Sequence, residues 1–200
     1  MIRWGRPDGV KAAFAAMNQD SAKAREQLQA AICRLFDELP HIEPILAVDR
    51  QYQIAALADF VTRARTHVRR NGSTKEMLYV PAPEAPTRLS QQLSQLARGS
   101  ALIDGRLDVN EDDYRLVKRV AFDCIPTLRR RILEAVPTKR GTSGIVSPAT
   151  LSYCKEDLQA LELLREGREV QFSDLSLELL RSSGVWDDFT RYPSPSIAIQ

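Results

Sequence analysis

The chain has 200 residues, a formal charge of +2, and a composition that is 44% hydrophobic and 27% charged. That is enough ordinary globular material for one large domain or two small ones with a full core, and the whole-chain charge points to no particular partner. The opening MIRWGRPDG has no apolar stretch, and no apolar run approaches the roughly 18 residues a spanning helix needs, so the sequence predicts a cytoplasmic protein with neither a standard secretion signal nor a membrane anchor. Cys33, Cys124 and Cys154 lie far apart without a Cys-x-x-Cys, a pattern of small core residues rather than a metal set or disulfide frame.

Aromatic residues make up only 6% of the chain, and the many Leu, Ala, Arg, Glu and Gln favour helix. Residues 9–18 predict a short helix with Val10, Phe14 and Met17 on one side. Residues 21–39 predict an amphipathic helix, because Leu28, Ile32, Leu35, Phe36 and Leu39 recur at spacings of three and four before Pro40. A third helix is predicted over 50–69, with Leu57, Phe60, Val61, Ala64 and Val68 aligned. A connector follows, with an extended piece at 77–80 and stiffening by Pro81, Pro83 and Pro86. The next helix runs over about 87–98, with room for a further turn past Gly99, on the stripe Leu89, Leu93, Leu96 and Ala97. After a turn at 104–106, Asn110 caps a fifth helix whose first turn holds Glu111, Asp112 and Asp113, where carboxylates oppose the positive helix end.

Pro126 opens a different pattern. A short helix (127–136) and a polar, Gly-rich connection precede a helix over 147–164 with Ser147 as N-cap and Pro148 at its first position. Two short strands around Glu166 and Gly167 and a last helix complete the chain. Helix, connection, helix and hairpin is the layout of a winged helix. The predicted fold is therefore mainly α: a helical lid-like bundle over 1–125, a winged-helix domain with a two-stranded wing over 126–188, and a flexible tail over 189–200.

Residues 85–125 place four features in fixed order: Pro86-Thr87-Arg88 at a helix mouth, Ala97-Arg98, the Asp104-Gly105-Arg106 turn, and the helix start Val109-Asn110-Glu111-Asp112-Asp113. In that order they resemble the helical lid of AAA+ ATPases of the MoxR, magnesium-chelatase and MCM group, closely over 85–125 and loosely over 20–85. The resemblance extends to a bacterial-type C-terminal winged helix. It implies that Arg88 corresponds to the lid arginine that reaches a nucleotide's terminal phosphate in the assembled ATPase. A guanidinium at a helix start is permanently charged and matches phosphate geometry. The pattern departs from the family where a phosphate cradle is required. The chain has no G-x-x-x-x-G-K-[ST], since GTSG at 141–144 precedes no Lys-Ser/Thr pair. A non-catalytic module is expected, with no cofactor of its own; ATP and Mg2+ would enter only with a core supplied elsewhere.

In a DNA-reading winged helix the second helix enters the major groove. The candidates here are Thr150, Tyr153 and Lys155 on that helix, Arg129, Arg130 and Arg131 before it, Lys139 and Arg140 in the connection, and Arg168 in the wing. Glu156, Asp157, Glu162, Glu166 and Glu169 oppose phosphate binding. Two roles stay open: a regulatory or DNA-binding module on double-stranded DNA, or an interaction module for an AAA+ core or another protein. His41 and His67 are isolated, and no nucleophile triad or metal loop is spaced for chemistry.

Overall fold

The structure, a computed structural model, describes residues 10, 11, 14, 17, 21–39, 41–137, 147–167 and 170–186. Among them are seven helices and one two-stranded sheet: α1 (Ser21–Glu38), α2 (Val48–Arg65), β1 (Arg69–Arg70), β2 (Met77–Tyr79), α3 (Thr87–Ile103), α4 (Glu111–Asp123), α5 (Thr127–Ala135), α6 (Pro148–Ala160) and α7 (Asp174–Ser182). None of these helices is long and apolar enough to cross a membrane.

The central element is α2. Its buried residues Ile54, Leu57, Ala58, Phe60, Val61 and Ala64 are spread around the helix, so it packs against α3, α4 and α7 together. On α3 the buried Leu89, Leu93, Ala97 and Ala101 recur every four residues, which makes a single stripe facing α2 and α4. The helix continues through Gly99 to Ile103, the further turn that the sequence allowed. On α4, Tyr114, Val117, Ala121 and Phe122 face inward. The phenol of Tyr114 donates to the Ser183 carbonyl at 2.6 Å, tying α4 to the end of α7.

Aromatic rings join the two halves of the chain. Phe60 sits 6.3 Å from Phe122 and 6.4 Å from Phe172, and Phe172 meets Trp186 edge-on at 6.2 Å. One core runs from Leu46 to Val185 and includes residues on both sides of Pro126.

Three expectations need correction. The helix expected over 50–69 ends at Arg65, with Thr66 extended. The Thr66 hydroxyl donates to the Thr62 carbonyl at 2.7 Å, and Arg129 takes the Ala64 and Thr66 carbonyls, so the next turn has lost its acceptors. The chain then forms the antiparallel pair β1–β2, with Arg69 opposite Tyr79 and Arg70 opposite Met77. Second, where two strands were expected the pairing among the described residues is shorter: an antiparallel bridge joins Leu164 to Phe172 and the Arg165 amide donates to the Gln171 carbonyl at 2.9 Å, with Gly167 at φ 145°. Third, the apolar face of α1 joins no core among the described residues. Leu28, Ile32, Leu35 and Phe36 are 61%, 43%, 41% and 65% exposed, and Val10, Phe14 and Met17 are exposed as well. The tail at 189–200 lies outside the described residues.

Candidate functional site

Arg88 is the second residue of α3; it is exposed and pairs with none of the described residues. The rest of the α3–α4 motif is a structural lock. Gly105 takes a left-handed φ of 70°, which lets the amide of Arg106 return to the Ala101 carbonyl at 2.9 Å and close α3. Arg106 then grips Asp113 with both arms, at 2.6 and 2.8 Å, and reaches Asp104 at 2.8 Å. Asp113 is buried. Its carboxylate also accepts from the Asn110 amide at 2.9 Å, while the Asn110 side chain accepts from the amides of Asp112 and Asp113. That reciprocal arrangement is a capping box. The Arg106 guanidinium holds the Asp113 carboxyl down at about 2, with help from the Ser100 hydroxyl and the Asn110 amide and against the effect of burial.

The arginines predicted to face DNA have other duties. Arg129 is buried. It donates to the Ala64 carbonyl at 3.1 Å, to the Thr66 carbonyl, and to Asp157 at 3.0 Å. It thereby satisfies the carbonyl end of α2, where a cation opposes the negative helix pole. Arg70, from the hairpin, grips the other oxygen of Asp157 at 2.8 Å. It also reaches Glu156 and the Tyr153 carbonyl, each at 3.0 Å, and lies over the Tyr153 ring at 5.0 Å. Arg130 is held by Asp123 at 2.5 Å and Glu134 at 2.7 Å. The nearby Cys154 thiol is pushed up by burial and by Asp157, which keeps it protonated and unreactive.

Arg129 is therefore an internal clamp, Arg130 is a part-exposed residue held by Asp123 and Glu134, and Arg70 lies over the face of Tyr153. Thr150 is exposed, with its amide and hydroxyl on the Ser147 cap. Arg131 and Lys155 are half-buried and pair with none of the described residues. Lys139, Arg140 and Arg168 lie outside the described residues. A sequence signal for the clamp existed: Arg129 falls in the stripe with Ile132, Leu133 and Val136, at the helical spacing of core positions. The Arg70–Asp157 pair, 87 residues apart, left no such signal.

Several large apolar side chains are exposed around the α3–α4 turn. The Ile45 amide donates to the Leu107 carbonyl at 2.7 Å, and the Val109 amide donates back to Ile45 at 3.0 Å. This pairing lays residues 44–46 along the α3–α4 turn. Ile42, Ile45, Val48 and Tyr52 are exposed on one side of that junction, and Ile103 and Leu107 on the other. A shallow groove lined by Leu96, Gly99, Ile103 and Leu116 runs between α3 and α4. Among the described residues no group of His, Cys, Asp and Glu could hold a metal ion. No family model matches the chain, and neither the curated proteins nor the solved structures include a significant match.

Proposed function

We propose that the chain is a non-catalytic helical module that acts by binding another protein. Its setting is the lid-and-wing portion of an AAA+-type assembly. The observation that carries the protein-binding reading is the contrast between charge and apolar exposure. Arg129 is engaged inside the fold and the part-exposed Arg130 is held by two carboxylates, while Ile42, Ile45, Val48, Tyr52, Ile103 and Leu107 are exposed near the α3–α4 turn. Apolar exposure of that extent marks association surfaces. DNA affinity rests on phosphate neutralisation, and only Arg131 and Lys155 of the described candidates keep an unpaired charge.

Arg88 supports the AAA+ setting. It projects from a helix start without a partner among the described residues, where it can meet a phosphate carried by a neighbouring core. ATP and Mg2+ would belong to that core.

Two measurements test the reading. Fluorescence anisotropy with duplex DNA at low and moderate salt is expected to show no saturable binding. Binding that weakens steeply with salt and falls in Arg131→Ala/Lys155→Ala would return the DNA role. A photo-crosslinker placed at Ile45, in cells that express the chain, is expected to yield a discrete adduct with another polypeptide. No adduct there, with normal folding, removes the protein-binding reading.

A further inference from the structure

We propose that Asn71 and Gly72, in the turn of the β1–β2 hairpin, form a site of spontaneous deamidation that releases the hairpin from α6 as the protein ages. The proposal is independent of the protein-binding reading.

An asparagine side chain holds its amide carbon within reach of the next backbone nitrogen, so closure to a cyclic imide is an intramolecular reaction. Glycine, with no side chain, obstructs that approach least. Positions 71 and 72 are Asn-Gly. Gly72, Ser73, Thr74 and Lys75 are exposed, and apart from its chain neighbours nothing lies within 4 Å of where a Gly72 side chain would begin.

The turn polarises both reacting groups. Asn71 Oδ1 accepts from the Ser73 amide and hydroxyl, each at 2.9 Å, and from the Thr74 amide at 3.3 Å. These donors stand where negative charge gathers when the carboxamide is attacked, the arrangement of an oxyanion hole. The Lys75 amide donates to the Asn71 carbonyl at 3.1 Å, drawing electrons from the Gly72 nitrogen that must lose its proton. The Lys75 ammonium donates to the Gly72 carbonyl at 2.6 Å, a positive charge beside the amidate as it forms.

The Gly72 nitrogen gives its proton to hydroxide and bonds to Asn71 Cγ. The Cγ–Nδ2 bond breaks, and Nδ2 leaves as ammonia with a proton from water. One water then opens the imide. Opening at Cγ gives aspartate; opening at the main-chain carbonyl carbon gives isoaspartate, with the main chain running through Cγ. The balance is one water in and one ammonia out, with no change of oxidation state. Isoaspartate inserts one extra carbon into the main chain between Arg70 and Gly72. That displaces the Asn71 amide from the Glu76 carbonyl, now 2.9 Å away, and the Lys75 carbonyl that receives Arg70 at 2.8 Å. Arg70 is what holds the hairpin to Asp157, Glu156 and the Tyr153 carbonyl of α6.

The test ages the full chain at mildly alkaline pH, folded in buffer and unfolded in guanidinium chloride, with peptide mapping by mass spectrometry. The folded chain is expected to gain the amide-to-acid mass increment at Asn71 at least as fast as the unfolded one, faster as pH rises, and with isoaspartate among the products. Asn110 is the internal control: its side chain also accepts from two amides, but Glu111 follows it at a helix start, and it should stay intact in the folded chain. Ser73→Ala, which removes one hydrogen bond to Oδ1, should slow the reaction roughly 5-fold in the folded chain alone. Hydrogen exchange across residues 69–79 should rise in the isoaspartate fraction and stay low in aged Asn71→Ser. Asn71 that survives in the folded chain while it reacts in the unfolded one overturns the proposal. So does an isoaspartate product whose hairpin exchange is unchanged.

Discussion

At Asp113 one carboxylate caps a helix, receives a backbone amide and neutralises a bidentate arginine. Removing it leaves the Asn110 amide without its acceptor and Arg106 with only Asp104 and the Asp108 carbonyl, so Asp113→Ala is expected to cost about 3 kcal/mol in urea denaturation. The pH dependence has a definite sign. The folded value of about 2 lies below the ordinary 3.8, so the ionised group stabilises the fold. That contribution, roughly 2 kcal/mol, is full above pH about 4 and disappears as the pH falls through about 2. The stability gap between wild type and Asp113→Asn should therefore close over that window; a gap that stays constant would place the effect elsewhere. The cap itself was legible, because Asn110 and Asp113 stand three apart before an apolar run. Its partner Arg106 was not. The pairing depends on the left-handed Gly105, which folds the chain back across seven residues.

The helical elements were readable wherever the buried residues form one stripe, as on α3 and α4. On α2 the rule weakens, because a helix packed on several sides carries no single stripe. Its end was misread, since the acceptors that would extend it are taken by Arg129 from another part of the chain. α1 taught the opposite lesson: its stripe was legible, but a stripe says that a face wants a partner and not that the partner is in the same core. The hairpin β1–β2 depends on Arg70, which joins it to Asp157, Glu156 and Tyr153 on α6. Arg70→Ala should raise amide exchange across residues 69–79 while α2 and α4 keep their protection. Arg129→Met should act more widely, at about 3 kcal/mol, because it exposes the end of α2 as well as freeing half of Asp157. Equal exchange profiles for the two variants would show that the hairpin and the α2 end are not separately held.

In the whole molecule the question is whether residues 126–186 form a unit of their own. Pro126 and the change of pattern suggested so, and local pattern could say nothing about the faces left over. The structure packs α7 on α2 and sets Phe172 against Phe60, so the second half completes the core of the first. Ile132, Leu133, Leu158, Leu163, Leu180 and Val185 are all buried to 2% exposure or less. At roughly 2 kcal/mol each, they supply burial comparable with the whole stability of a domain, about 5–15 kcal/mol. A fragment of residues 1–125 is therefore expected to give helical far-UV dichroism without a cooperative thermal transition. In the full chain, far-UV dichroism and tryptophan fluorescence should follow one urea transition, since Trp186 packs on the ring that touches α2. A sharp melt in the 1–125 fragment would mean that α2, α3 and α4 form a domain alone. The contacts across residue 125 would then be an interface between two units, and a lid able to move against its neighbour would follow from that outcome.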